Sequence, residues 1–410
     1  MKLLIAQNRY RYPGGEDVVF SREAALLRSA GHDVVEYVRQ NTETLNGGIL
    51  GNVRTGIHAL WARDTARELR SILRKERPQV VHFHNTFPLI SPPAYYACKD
   101  AGVPVVQSLH NARFICPTTT HYREGRVCED CLGRGIASPG VLHACYHSSH
   151  PQTAVVAGMI AVHRLLGTWR EQVDASIVFT EFFRRRFIAA GLPPAKIFLK
   201  PHFLATDPGM KQEPGDYALF LGRLAPEKGI RTLLKAWQNL KHIPLVISGG
   251  GPLQEEVRKF EQGNPLVRAV SQLPQQECFG LIKGARFLIW PSEGYVETFG
   301  LVAIEAFACG LPVIASRVGA MAELVEDQKS GLHFEAGNPD DLAAKVAWAW
   351  NHPLEMETMG LAARAEYMNK YTAARNYDAL MRIYHAAIQR KAFLTGSSPV
   401  NCSGMRRNHA

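Results

Sequence analysis

The feature that most limits the fold is a rhythm. Short runs of β-branched and other apolar residues alternate with helical patterns, and the alternation plays twice along the chain. In the first half, strands are expected at 2–6, 32–37, 80–83, 103–108 and 175–180, with helices at 21–29, 58–74, 94–99 and 153–166. In the second half, strands are expected at 218–222, 244–248, 287–290 and 313–316, with helices at 230–239, 254–260, 300–308 and 340–350. Parallel strands joined by crossover helices are covered on both faces, so each half reads as a Rossmann-like α/β unit. At 410 residues and 46% apolar composition the chain is long and apolar enough for two or three packed domains, which excludes disorder as its main state. The rhythm divides it into a first domain at 1–200, a linker at 201–216 holding Pro201, Pro208, Pro214 and Gly215, a second domain at 217–375, a last helical stretch at 376–392 and a frayed tail at 393–410. Residues 111–150 break the rhythm and read as an insertion.

Charge is uneven. Residues 1–200 hold 25 Lys and Arg against 16 Asp and Glu, net +9, whereas 201–410 are nearly neutral at net +1. A basic first domain suits anionic partners: phosphates, an acidic glycan or an anionic membrane surface. Nucleic acid is not expected as a partner, because the arginine-rich segment at 182–188 offers only a fragment of the stripe of interleaved aromatic and basic residues that such binding uses. The run Leu3-Leu4-Ile5-Ala6 is too short for a signal-peptide core, and no stretch approaches the ~20 apolar residues of a membrane span. The expected location is the cytoplasm, with peripheral contact to a membrane left open. The segment Phe182-Phe183-Arg184-Arg185-Arg186-Phe187-Ile188 reads either as a helix with buried rings and outward arginines or as an interfacial helix. Arg9, Tyr10, Arg11 and Tyr12 add charge and rings at the end of the first strand.

Several local patterns carry chemistry. Gly14 and Gly15 stand between the first strand and the first helix, where they serve either as a tight turn or as a close approach to an anion. Phe220-Leu221-Gly222-Arg223-Leu224-Ala225-Pro226-Glu227-Lys228-Gly229 ends a strand and opens a helix, and Arg223 and Lys228 can reach one diphosphate across that turn. Gly249, Gly250 and Gly251 follow another strand end. Glu297 precedes Thr298-Phe299-Gly300, and Glu305 lies within an apolar helix, where a carboxylate needs strong partners such as sugar hydroxyls. No Asp-x-Asp pair occurs in the chain.

This grouping, with Gly310-Leu311-Pro312-Val313-Ile314-Ala315-Ser316 downstream, closely resembles the retaining, nucleotide-sugar-dependent glycosyltransferases of family four, which have the GT-B fold. The resemblance implies a UDP- or GDP-sugar donor held mainly on the second domain and a glycan or lipid-diphosphate-linked acceptor on the first. It implies that Arg223 and Lys228 hold the diphosphate, Glu305 the ribose, and Glu297 the donor sugar, with Glu293 the rival for that last role. It places the amides of Phe299, Gly300 and Leu301 at the distal phosphate, and the backbone around Leu273 at the base. His110 reaches the transferred sugar, Gly14, Gly15, Gly222 and Gly250 pass close to the ligand, and 376–392 crosses back onto the first domain. Catalysis is expected to retain the anomeric configuration and to need no metal. A nucleotide-sugar epimerase or another GT-B enzyme is the alternative, and a non-enzymatic anion- or nucleic-acid-binding protein the more distant one.

Cys116, Cys128, Cys131 and Cys145 fall within thirty residues, with a Cys-x-x-Cys pair in the middle. Four thiolates at this spacing suit a structural zinc. Two disulfides and four free thiols are the other readings, and His121, His143, His147 and His150 are alternate ligands. Cys98, Cys278, Cys309 and Cys402 read as ordinary buried or tail cysteines.

Overall fold

The structure is a computed structural model that describes residues 1–10, 14–44, 48–295 and 297–395. The first domain is built on β1 (Lys2–Arg9), β2 (Asp33–Gln40), β3 (Val80–Asn85) and β4 (Val105–Ser108). A hairpin of β5 (Tyr122–Arg123) and β6 (Arg126–Val127) follows, then β7 (Ala175–Val178) and β8 (Ile197–Leu199). Apart from the hairpin, these strands form one parallel sheet in the order β2-β1-β3-β4-β7-β8. Its middle is fully buried: all six residues of β3 are shut off from solvent. The second domain carries β9 (Tyr217–Leu221), β10 (Leu245–Ser248), β11 (Val267–Val270), β12 (Ala285–Trp290), β13 (Val313–Ser316) and β14 (Gly331–Phe334). They form a second parallel sheet in the order β11-β10-β9-β12-β13-β14.

In each sheet the winding reverses beside the first strand, so ligand-binding crevices are expected at the carboxyl ends of β1 and β9. Those two ends face one another. The helix Pro353–Lys370 packs on the helix Leu301–Ala308 of the second domain. The chain then crosses at Tyr371, whose carbonyl accepts from Leu204 N, and the helix Ala373–Thr395 lies against β3, β4 and β7 of the first domain. Among the described residues no helix is long and apolar enough to cross a membrane.

Three expectations differ from the structure. The helical pattern at 58–74 is two helices, Gly48–Trp61 and Arg63–Glu76. Ala62 breaks it in an extended conformation, its N–H given to Ser91 Oγ at 3.1 Å. The first part of the expected linker is core: His202, Phe203 and Leu204 are buried where the two domains and the crossing chain meet. The interfacial-helix reading of Phe182–Ile188 fails on packing. In the helix Glu181–Ala189, Phe183 and Phe187 are buried in the first-domain core, and the Arg186 guanidinium lies 3.7 Å from the Phe182 ring centroid, so no apolar face is left to enter a bilayer. Arg11, Tyr12, Cys402 and most of the tail (396–410) lie outside the described residues.

Candidate active site

Between the two sheets lies a cavity of about 600 Å³, within the range of small-molecule sites. Its walls come from strand ends on both domains. The first domain supplies Gly14 and Gly15 after β1 and His110 after β4. The second supplies Gly222 after β9, then Lys228, Leu273, Glu297, Phe299, Gly300, Leu301 and Glu305. Two glycines are required by shape. Gly229 has φ +71° and a Cβ there would meet Pro291 O at 1.9 Å, which brings the Lys228 turn against the loop after β12. Gly300 has φ +116° and a Cβ would strike the Trp290 ring at 2.1 Å. That close approach sets the start of the helix Leu301–Ala308 in the cavity wall, and the unpaired N–H groups of a helix start favour an anion.

The charges inside are paired. Lys228 Nζ binds Glu297 Oε1, which also takes Trp290 Nε1 and Ser292 Oγ, both at 3.2 Å. Burial pushes the Glu297 carboxyl up, but the Lys228 ammonium and these donors outweigh it and hold the carboxyl below its ordinary value. Glu305 lies 3.6 Å from the Arg22 guanidinium, across the domain boundary, and accepts from Gln275 Nε2 at 2.8 Å. Burial dominates there and raises its carboxyl above the ordinary value. His110 is 7% exposed, its imidazole held well below its ordinary pKa by burial and by the nearby His84 and Lys200.

Two of the expected residues stand elsewhere. The Arg223 side chain is 61% exposed, does not line the cavity and pairs with Glu227 one turn on. Gly250 also lies outside; its carbonyl accepts from Leu224 N at 2.9 Å and shapes the turn beneath Gly222. Glu293 faces away from the pocket, taking a bond from Thr232 Oγ1 at 2.5 Å and one from Tyr122 OH of the first domain at 2.8 Å. Sequence reasoning missed Arg22, Glu16, His202 and Cys278, all of which line the cavity. Only Glu16 carried a signal, as an acid directly after the two glycines.

The four cysteines of the insertion line a separate cavity of about 20 Å³, together with His121. No disulfide joins the described cysteines. Among the described residues the one set of three or more ligand atoms mutually within 4.8 Å is Glu23, His82 and His84, so the four thiols stand looser than a loaded tetrahedral site.

Two family models together match most of this chain, residues 13–366. The model for Glycosyltransferase Family 4 matches residues 13–207, and that for Glycosyl transferases group 1 matches 207–366. The chain belongs to the family-four glycosyltransferases. It is 31% identical over 174 residues to the uncharacterized glycosyltransferase MJ1178 of Methanocaldococcus jannaschii, a match covering 42% of this chain and 48% of that one. It is 27% identical over 186 residues to the O-antigen chain mannosyltransferase C of Escherichia coli, covering 44% of this chain and 50% of the relative. The chain thus spans about half the length of these relatives. The glycosyltransferase fold is shared with Anabaena Alr3699/HepE in complex with UDP-glucose, at TM-score 0.65 and 17% identity over 93% of this chain and 99% of that one. The architecture is therefore GT-B.

Proposed function

We propose that this glycosyltransferase moves a sugar from a UDP- or GDP-linked donor to a glycan or lipid-linked glycan, in the synthesis of a surface polysaccharide or glycoconjugate. One observation carries the reading: a single interdomain cavity is lined by an ammonium, the start of a helix and two glutamates, the kinds of group that a diphosphate, a sugar and a ribose call for. Departure of a nucleoside diphosphate builds negative charge on the distal phosphate. Lys228 and the amides of Phe299, Gly300 and Leu301 meet that charge; Arg223 joins them only by releasing Glu227. Glu297 accepts hydroxyls of the donor sugar, Glu305 those of the ribose, and the backbone near Leu273 faces the base. With no Asp-x-Asp pair in the chain and a lysine at the leaving group, transfer is proposed to proceed without a catalytic metal; retention of configuration is proposed from the family resemblance. The acceptor enters from the basic first domain, consistent with an anionic, lipid-diphosphate-linked glycan, with the membrane as the phase that presents it.

The thiols at 116, 128, 131 and 145 fit a zinc ion in chemistry and number, since all four line one cavity in an insertion poor in apolar residues. A zinc there supplies cross-linking of the insertion and no step of transfer.

A thermal-shift panel of UDP-, GDP- and ADP-sugars tests the donor, followed by acceptor titration. Release of nucleoside diphosphate that depends on acceptor is the expected result. Interconversion of the donor without acceptor points instead to an epimerase and overturns the reading. A second check concerns Glu16. Its Oε2 is buried without a partner, and burial pushes its carboxyl up to about 7, against the Asn111 bond and the Arg113 charge. The folded protein then holds a proton that the unfolded chain loses near pH 4.5, so stability falls as pH rises through that window up to about 7. Melting temperatures at pH 5 and pH 8 should converge in Glu16→Gln relative to the parent; an unchanged gap removes Glu16 as the cause.

A further inference from the structure

His110 does not stand alone. Behind it, on the side away from the cavity, lies a buried set of polar side chains that the transfer chemistry above does not use. His84, on β3 and 2% exposed, places Nδ1 2.9 Å from His110 Nε2, with the two rings stacked at 5.1 Å. Its other nitrogen, Nε2, is buried without a hydrogen-bond partner. The same is true of Glu23 Oε1, in the helix Gly15–Ser29. Glu23, His82 and His84 each bring one ligand atom within 4.8 Å of the others. Some carboxylate oxygen of Glu23 and some ring nitrogen of His84 thus lie within 4.8 Å, while Glu23 Oε1 and His84 Nε2 make no direct bond, so one shared water can serve both unpartnered atoms; a buried carboxylate oxygen without a donor is costly.

A metal is the rival occupant, and the surroundings oppose it. Lys200 is fully buried, with Nζ 3.2 Å from Glu23 Oε2 and 3.3 Å from Asn376 Oδ1, so the carboxylate already has its cation. Both nitrogens of His82 are committed, Nδ1 to Tyr384 OH and Nε2 to Ser108 Oγ, each at 2.9 Å. Too few free donors remain to hold an ion.

We infer that Glu23 and His84 are positioning residues that set the tautomer of His110. The argument is one of proton count. A neutral imidazole has one N–H and one lone pair. All three histidines are neutral: burial and Lys200 hold His82 and His110 well below their ordinary value, and His84 at about 3. The Glu23 carboxylate draws the His84 proton to Nε2, through the bridging water. His84 Nδ1 is then a lone pair and accepts from His110 Nε2–H. His110 Nδ1, neither bonded nor among the buried unpartnered atoms, is left as a lone pair open to the cavity. The ring facing the donor sugar is therefore an acceptor, and binds a hydroxyl by its hydrogen. The other tautomer would present an N–H at the same place, which donates to the hydroxyl oxygen and leaves the hydroxyl's hydrogen without this acceptor, so the sugar would be held in a different orientation.

This inference rests on the transferase reading of the cavity, and its test keeps the two apart. In the full chain labelled with ¹⁵N-histidine, long-range correlations are expected to show His84 and His110 both as Nε2–H tautomers, in the absence of any substrate. Glu23→Gln is expected to populate the Nδ1–H form of His84. A parent protein with His110 as the Nδ1–H tautomer overturns the inference, whatever the enzyme turns over. The kinetic arm uses whichever of UDP-glucose, GDP-mannose or ADP-glucose raises the melting temperature. His84→Leu should lower kcat by on the order of 10²-fold, with donor KM within threefold. His84→Asn, which keeps an acceptor near the Nδ1 position, should recover most of that loss. Equal losses in the two variants assign His84 to packing alone and overturn the positioning role; the tautomer arm stands independently should the leucine variant fail to fold.

Discussion

Lys228→Ala is expected to lower transfer by on the order of 10³-fold, the scale of removing one preorganised charge from a developing anion. The geometry separates this from a general loss of structure. Lys228 sits in a turn fixed by Gly229 against Pro291, so its ammonium is presented by backbone shape and not by its own packing. In the free enzyme that ammonium neutralises Glu297, and deleting it leaves a carboxylate mostly buried with only Trp290 Nε1 and Ser292 Oγ as donors. A stability cost of about 2 kcal/mol follows for the single variant. Lys228→Ala combined with Glu297→Gln removes the stranded charge, so melting temperature should return toward the parent while turnover does not. Recovery of both together would mean that the pair is structural. Near-parental turnover in the single variant would remove Lys228 from the leaving-group site altogether.

Glu305→Ala gives the contrasting pattern. Its partner Arg22 lies on the first domain, so the part of the cavity proposed for the ribose is joined to the opposite wall before any donor arrives. The expected result is a donor KM raised on the order of tenfold with kcat less affected, since hydroxyl contacts to the ribose are alike in ground and transition states.

How much of this was legible depends on whether a residue's partners are local. The two sheets were readable because strands such as β1 and β9 hold short apolar runs beside turn or polar residues, Leu3–Ala6 and Ala218–Leu221, which is how strands buried on both faces look. β11 and β14 were not read, because Val267–Val270 alternates with Arg268 and Gly331–Phe334 opens on glycine and carries His333, so neither shows a run. Lys228, Glu297 and Glu305 stood out because a charge beside glycines or inside an apolar helix is anomalous in sequence alone. Arg22 was invisible, since its helix face looks like any solvated one and its partner is 283 positions away. Arg223 is the converse case. Its spacing from Lys228 was right for a clamp, but the side chain folds onto Glu227 and points to solvent. The histidines behind His110 spell His82-Phe83-His84, and strand alternation alone puts both on one face; what the sequence withheld was Glu23 and Lys200, brought there by the fold.

The insertion carries the second large expectation. Protein purified without chelator should hold close to one zinc per chain, and Cys128→Ser with Cys131→Ser should abolish it. Structural zinc in small modules supplies about 10–16 kcal/mol of folding free energy, far more than the sparse apolar contacts of Cys131, Ala137 and Ala157 provide. Loss of metal should therefore unfold 116–145, while Ala112 and Ile115, seated in the first-domain core, and the two parallel sheets persist. Trypsin reads this directly, because Arg123, Arg126 and Arg134 all lie in the segment. Their cleavage should be slow in the loaded protein and fast in the double variant. The effect should also reach the active site. Tyr122 OH holds Glu293 of the second domain, and Arg186 joins Glu129 of the insertion to the ring of Tyr295. Both contacts grip the loop after β12 that bears Glu297, so the double variant should lose donor affinity although no ligand atom touches a cysteine. Less than half an equivalent of zinc, or trypsin resistance equal to that of the parent, would show that the thiols do not hold the insertion.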